Sequence, residues 1–339
     1  MRKATITVLR PGVCSTIQDL GRFGYQDQGV SPSGALDPVS LKTANALVGN
    51  DLSAAAIEMV QVGAKIALKG GLVIAFAGGV CAPEISGVPL PMLRPIFVLV
   101  DVVIDIGQVT NGNVVYMSVR GGICVDKVFG SRSTHLGTKT GGLNGVALRV
   151  GDQLPVSVAK IKKRDLVDRG VTVFRDDVGT PPWSIRPTVE LPSELTDIRF
   201  IPSKIFQSLE KVDQQKFLDT EFVLSPTSNR MGYRLKGNAL KLDDSANMKS
   251  RPVCVGTIQV PPDGQPIVLM AERQTTGGYP SVGEIITVDL FRFAQARVGQ
   301  TVRFIPVSVD VAQDGVVRLE KEMKTLFDSI SQRMSELLV

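Results

Sequence analysis

The sequence predicts a mainly β protein. Aromatic residues are only 5% of the 339 residues, whereas Val, Ile and Gly are plentiful. Short apolar runs alternate with Gly-, Pro- and Asp-rich turns, and few stretches carry helical spacing. With 43% apolar residues and a mean hydropathy of +0.15, the composition excludes a disordered chain. The length allows two domains of ordinary size, because a single core rarely grows that far.

Strands are expected at Thr5 to Leu9, Lys65 to Leu68, Val73 to Phe76, Ile96 to Val100, Val114 to Val119 and Leu148 to Val150. Gly12 to Gly34 reads as an ordered loop. A helix follows it, with Asp37 as cap, Pro38 in its first turn and Gly49–Asn50 at its end. Residues 159–196 carry the basic cluster and then the proline-rich GTPPWSIRPTVELPS, which reads as a linker without a central strand. Beyond it, strands are expected at Asp197 to Ile201, Glu221 to Leu224, Gly256 to Val260, Pro266 to Met270, Ile285 to Val288 and Thr301 to Val307. Helices are expected near Lys204 to Leu209 and from Asp289 onward. Leu319, Met323, Leu326, Phe327, Ile330, Met334, Leu337 and Leu338 form an amphipathic stripe, a C-terminal helix with Asp314 as its expected cap. LRVGDQLPVSV and ARVGQTVRFIPVSV share an Arg-Val-Gly turn and the strand after it, which suggests related halves. The expected division is 1–158, a connecting segment 159–196, 197–309, and a C-terminal helix 310–339.

The net charge of +5 is modest and mixed in sign along the chain. Lys160 to Arg169 lacks interleaved aromatics, so a nucleic-acid partner is not expected. The N-terminus shows no signal-peptide pattern, and the longest apolar runs, Leu72 to Cys81 and Ile96 to Ile104, fall short of a membrane span. A cytoplasmic location follows by elimination. Cys14, Cys81, Cys124 and Cys254 have no CxxC spacing and read as reduced thiols; with one histidine, His135, no metal site is expected. His135 itself reads as a surface loop residue.

The chemistry is bounded by what is missing. The sequence contains no GxxxxGK[ST] loop, no GxGxxG opening a helix and no GxSxG elbow. It has no Met-Lys-Met biotin attachment site, Asn247-Met248-Lys249 being too loose a match. Catalysis would rest on Asp, Arg, Tyr, Gln and backbone amides, groups that position anions and carbonyls. Glycine-rich polar segments supply them. TIQDLGRFGYQDQGVSPSGALD offers Asp19, Arg22, Tyr25, Ser31, Ser33 and Asp37. SPTSNRMGYR offers Arg230 and Arg234 as a carboxylate or phosphate clamp and Tyr233 as a stacking or donor group. QVPPDGQPIVLMAERQTTGGY offers Gln259, Asp263, Gln274, Thr275 and Thr276 around the Pro-Pro-Asp-Gly turn and the Gly277–Gly278 bend.

PGVCSTIQDLGRFGYQDQGVSPSGALD, ANALVGN, GSRST, SPTSNRMGYRLKG and GTIQVPPDGQPIVLMAERQTTGGYP resemble, in order, the signature segments of the KipA-like family of biotin-dependent carboxyltransferase-type proteins. The resemblance runs from about Val8 to Phe304, leaving the C-terminal helix beyond the usual family end. Members of that family include subunits of ATP-dependent 5-oxoprolinase, proteins labelled allophanate hydrolase subunit 2, and a region of urea carboxylase. The resemblance implies cyclophilin-like β-barrels and a KipI-like smaller subunit as partner, with the active site near their interface. A LamB/YcsF-like third subunit would complete ring opening of 5-oxoproline to glutamate, with ATP as co-substrate. Asp19, Arg22, Ser33, Arg230, Tyr233, Gln259, Asp263, Gln274, Thr275 and Thr276 would then bind substrate or nucleotide. Carboxyl transfer from biotin carried on another chain, and a regulatory role against a KipI-like kinase inhibitor, are the alternatives. In the leading reading the isolated chain is inactive.

Overall fold

Strand β10 (Asn111–Val119) is buried along almost its whole length, as is β5 (Leu72–Val80) beside it. Such runs need cover on both faces, and they get it. The computed structural model describes residues 2–158, 163–174, 177–187, 190–242 and 249–338. These divide into a first unit (1–22, 37–190 and 322–339) and a second (23–36 and 191–321).

The first unit holds two sheets. A seven-stranded sheet runs β12 (Thr172–Phe174), β13 (Val178–Thr180), β8 (Ile96–Val98), β5, β10, β3 (Ala56–Val60), β2 (Cys14–Gln18). A six-stranded sheet runs β11 (Gln153–Val158), β1 (Arg2–Arg10), β4 (Lys65–Leu68), β9 (Val102–Asp105), β6 (Glu84–Ile85), β7 (Val88–Pro89). Because side chains alternate along a strand, Ile17, Ile57, Met117 and Phe76 enter the main core of the unit. The intervening positions face helix α1 (Pro38–Leu47), which packs on β5 and β10.

That second face is fully buried and carries polar side chains beside apolar Val73 and Ala75. Tyr116 donates to Glu58 Oε2 at 2.7 Å and accepts from the Asp37 backbone N–H at 2.9 Å. Ser118 donates to Asn45 Oδ1 at 2.9 Å. Burial, with the charges of Glu58 and Asp37 beside it, pushes the Tyr116 hydroxyl well above the ordinary tyrosine value. Asp37 caps α1 by accepting from Ser40 N–H at 3.0 Å, with Pro38 in the first turn, as expected from sequence.

The second unit is a closed barrel: β14 (Leu195–Pro202), β21 (Ser281–Ile285), β18 (Thr257–Gln259), β19 (Ile267–Leu269), β16 (Gly232–Lys236), β15 (Phe222–Leu224), β22 (Thr301–Pro306). A small ribbon, β17 (Arg251–Pro252) with β20 (Thr276–Gly277), adjoins it in sequence. Phe200, Phe206, Phe217, Phe222 and Phe304 fill the core with ring centroids 5.2–6.1 Å apart. Such pairs contribute about 0.5–1.5 kcal/mol each beyond area burial. The related Arg-Val-Gly phrases precede strands with different neighbours. β11 lies antiparallel to β1 at a sheet edge, whereas β22 runs parallel to β14 within the barrel.

Several expectations are corrected. Residues 159–196 are more than a linker: α2 (Lys163–Asp168), β12 and β13 lie within them, β13 pairs with β8, and Leu166 and Val171 are buried. The prolines act only after Thr180, where β13 has ended. Residues 159–162, 175–176 and 188–189 of that segment, and Asn247–Met248, lie outside the described residues. Leu148 to Val150 is no strand, because Asp152 accepts from Arg149 N–H at 2.7 Å and turns the chain before β11. Gly12 to Gly34 is not wholly loop, since Cys14–Gln18 pairs with β3. The loop 23–36 belongs to the second unit, where Gly34 and Ser31 bond to Arg230 and Ala271.

Helices α3 (Lys204–Ser208) and α5 (Thr287–Ala294) fall near their expected places. Helix α4 (Lys211–Leu218) is too polar to show a stripe in the sequence. The C-terminal helix α6 (Val309–Leu338) starts before Asp314, because the Ser308 hydroxyl accepts from Val311 N–H at 3.3 Å and caps it. Its later residues Ile330, Met334 and Leu337 are buried against Leu47, Val73 and Phe97 of the first unit. Among the described residues no helix is long and apolar enough to cross a membrane.

Burial pushes the Cys81 thiol up to about 12, while Cys124 is exposed. The thiolate is the reactive form. Brief iodoacetamide treatment of the folded chain at pH 8 should therefore label Cys124 and spare Cys81, read by peptide mass spectrometry. Labelling of Cys81 only after urea addition completes the check.

Candidate functional site

The segment Ser225 to Arg234 is a loop pinned at its neck. Ser225 N–H donates to the Arg234 carbonyl at 2.8 Å, and Arg234 N–H donates to Ser228 Oγ at 3.0 Å. Asn229 Oδ1 accepts from Met231 N–H at 2.8 Å, which leaves its Nδ2 to donate elsewhere. Beyond this loop the chain enters β16, and strand periodicity then separates the polar side chains. Tyr233 pairs in register with Val268, and Val268 with Ile258; all of them are buried. Arg234 pairs with Ile267, and Ile267 with Gln259, so this row points to the opposite face.

That opposite row floors a cavity of about 180 Å³ within the second unit. Arg234, Gln259 and Ile267 come from adjacent strands, with Gly232 and Leu269 in the next register row. Asn229 and Met231 contribute from the pinned loop, and Gln274 and Tyr279 from the segment that follows β19. That segment crosses close to Gln259: a Cβ added at Gly277 would lie 2.3 Å from Gln259 Nε2. A side chain at position 277 would push the amide out of place, so this approach requires glycine. Gln259 is itself buried and donates to the Tyr279 carbonyl only at 3.5 Å, a long bond that leaves its donors available.

The two arginines of the expected clamp do different work. Arg230 is 6% exposed; its Nε donates to Glu272 Oε1 at 2.6 Å and its Nη2 to the Gly34 carbonyl at 2.5 Å. Its charge is spent inside the fold. Arg234 lines the cavity, is exposed, and has no carboxylate partner among the described residues. Among the described residues, the free cation lining this cavity is therefore Arg234. Tyr233 donates to the Ala294 carbonyl at 3.1 Å and rests on Phe293, so it supports the barrel wall and does not line the cavity.

The remaining expected residues lie apart from the cavity. Asp263 is exposed in the predicted Pro-Pro-Asp-Gly turn, where its carboxylate accepts from Gln265 N–H at 3.1 Å. Thr275 accepts through its carbonyl from Val253 N–H at 3.1 Å, and Thr276 lies in β20. Ser33 is buried at φ 54° in the loop that ends on Arg230. Ser31 is buried in the same loop and Tyr25 borders its 3₁₀ turn.

In the first unit Asp19 and Arg22 both bond to Ser133. Asp19 accepts from Ser131 and Ser133 hydroxyls, both at 2.6 Å, from Arg132 N–H at 2.6 Å and from Gly21 N–H at 2.8 Å. Arg22 is 1% exposed and donates to the Ser133 and Val128 carbonyls. The carboxylate is saturated and the guanidinium enclosed, so this pair clasps the GSRST loop and has little capacity left for a ligand. His135, expected at the surface, is buried instead, because Thr138 N–H donates to its Nδ1 at 3.1 Å and folds the turn over it.

Sequence reasoning missed Glu272, Asn229 and the apolar floor of Ile267 and Leu269. Glu272 is 42 residues from Arg230, and no local pattern joins them. The register pairing would have exposed the floor, had the strands been aligned.

A family model described as carboxyltransferase domain, subdomain A and B, matches residues 28–306. A 5-oxoprolinase subunit of Escherichia coli is 33% identical, over 97% of this chain and 98% of its own length. Its counterpart in Haemophilus influenzae is 32% identical over 95% and 96%. At such coverage α6 falls largely inside the matched span, so the expectation that it extends past the relatives is corrected. The crystal structure of Kluyveromyces lactis urea carboxylase superposes with a TM-score of 0.83 at 26% identity, covering 97% of this chain and 29% of that one.

The split between the arginines predicts a split in phenotype. Arg230→Ala removes the buried guanidinium that faces Glu272 and should cost about 3–5 kcal/mol in urea unfolding. Arg234→Ala, at an exposed position, should change stability by less than about 0.5 kcal/mol. Equal losses in the two variants would show that Arg234 is also structural.

Proposed function

Because the chain belongs to the carboxyltransferase domain, subdomain A and B, family, we propose that it is a subunit of an ATP-dependent 5-oxoprolinase whose barrel cavity holds the lactam. The observation that carries this reading is the lining: one free guanidinium, Arg234, beside the carboxamides of Asn229, Gln259 and Gln274. The substrate is a small ring with one carboxylate and one secondary amide. Arg234 would take the carboxylate in a bidentate pair. A carboxamide presents a donor and an acceptor side by side, the complement of a lactam N–H and C=O. The cavity, about 180 Å³, suits a small polar substrate better than a drug-sized one.

The lactam resists water because its amide is resonance-stabilised. In this reading the γ-phosphoryl group of ATP passes to the lactam oxygen, releasing ADP. Water then adds to the activated carbon, the ring C–N bond breaks with its nitrogen leaving as the amine, and a second water hydrolyses the resulting acyl phosphate to glutamate and phosphate. The chain's own contribution is orientation of the ring, with amide N–H groups of Gln259 and Asn229 against the oxygen that gains charge. The sequence carries no phosphate-binding GxxxxGK[ST] loop. The reading therefore assigns phosphate handling to a KipI-like smaller subunit and ring opening to a LamB/YcsF-like one, within a cytoplasmic complex. The chain alone would be inactive.

Similarity to urea carboxylase favours one other reading, carboxyl transfer from biotin on another chain to a urea-like acceptor. Urea shares the N–C=O unit that the carboxamides address, but has no carboxylate for Arg234.

The test is glutamate release from 5-oxoproline and ATP by the chain mixed with both partner subunits. Release should exceed that of the two partners alone, and Arg234→Ala should lower kcat/KM by about tenfold or more, the loss expected from removing one charged hydrogen-bonded contact. Absence of glutamate above the two-partner control overturns the reading. Carboxylation of urea supplied with carboxybiotin, instead, would establish the other.

A further inference from the structure

The first unit contains a larger cavity, of about 500 Å³, after the C-terminal end of α1. Its wall is completed by α6, which lies beyond residue 306, where the family match ends. None of its lining belongs to the cavity of the second unit. The volume lies in the range of pockets that enclose organic ligands of moderate size.

Arg120 gives this cavity its chemistry. It follows β10 in sequence and donates through Nη1 to the Val48 carbonyl at 2.9 Å and the Gly49 carbonyl at 3.5 Å. Those bonds use one nitrogen, so the other faces of the planar fork remain to donate. Among the described residues no carboxylate pairs with Arg120. Asp328, which lines the same cavity, is engaged with Lys324 at 2.7 Å. Burial lowers the Arg120 guanidinium below its ordinary value, as expected of a partly desolvated cation without a counter-ion. Gly49 makes room for it: at φ 68° a Cβ there would lie 2.6 Å from Arg120 Nη1.

The rest of the lining is mixed: Asn50, Ser331 and Ser335 are polar, and an apolar wall stands beside them. Leu52, Phe327, Met334 and Leu338 face the space together with the Ser331 side of α6. A half-buried cation beside an apolar wall is matched by a molecule with one anionic end and one apolar end.

We propose that this cavity binds a small organic monocarboxylate with an apolar tail, its carboxylate on Arg120 and its tail against Phe327, Met334 and Leu338. The site is independent of the proposed lactam site, and its occupancy can be measured without turnover.

The experiment titrates the full chain with sodium octanoate by isothermal calorimetry, with 1-octanol as the uncharged probe. Saturable one-to-one octanoate binding is expected, with octanol at least tenfold weaker. Arg120→Met should weaken octanoate at least tenfold. Because Arg120 also holds the Val48 and Gly49 carbonyls, that variant is checked by circular dichroism. Ser331→Trp, at an exposed position of α6, fills the cavity without touching that contact and should abolish binding. Non-saturable octanoate uptake, octanol binding as tight as octanoate, or unchanged octanoate binding in Ser331→Trp each overturns the proposal. Should Arg120→Met fail to fold, Ser331→Trp and the octanol comparison decide.

Discussion

A guanidinium sealed from water must find its counter-charge inside the fold, and Arg230 finds it in Glu272 at 2.6 Å, with both side chains almost fully buried. Leaving either partner alone would strand a charge in a poorly solvating interior. The pair therefore fixes the distance between two chain segments far apart in sequence. Backbone bonds on either side repeat the same register: Glu272 N–H to the Arg230 carbonyl at 2.8 Å, and Met270 N–H to the Met231 carbonyl at 3.0 Å. Through the Gly34 carbonyl, the same guanidinium also fastens the loop 23–36 to the barrel unit.

Everything around the smaller cavity follows from that junction. With Arg230 and Glu272 fixed, residues 231–234 enter β16 in one register only, and residues 274–279 leave β19 on the same side. Strand alternation then sorts the side chains. Tyr233, Val268 and Ile258 go to the packed side, and Arg234, Ile267 and Gln259 go to the cavity. A slip of one residue would bury Arg234 and expose Tyr233, at a cost of several kcal/mol for an unpaired buried cation. Register and charge burial thus select the same arrangement.

This explains what was legible in the sequence and what was not. The β-rich class, the Asp37–Pro38 helix start, the Pro-Pro-Asp-Gly turn and the amphipathic C-terminal helix all rest on local chemistry, and the structure contains each of them. The polar segments were recognisable as unusual, but their polarity had different causes. Asp19 and Arg22 are polar because they clasp a neighbouring loop, and Arg230 because it pairs with Glu272. Gln259 and Arg234 are polar toward open space. Separating these cases needs the partner of each charge, and the partners lie on strands whose pairing no local pattern reveals.

The distribution of locked and free groups is itself an argument about the site. In SPTSNRMGYR, Arg230 is neutralised inside while Arg234, four residues further on, has no counter-ion among the described residues. In the facing segment Glu272 is buried and Gln274 is exposed at the cavity. Each locked residue holds the backbone from which its free neighbour projects. An exposed loop with only free polar groups would position none of them to the accuracy that recognition of a planar amide needs. In the proposed site the buried ion pair would supply rigidity and Arg234 would supply affinity. The two functions are divided between residues of the same chemical type four positions apart, a distance that the turn into β16 converts into opposite environments.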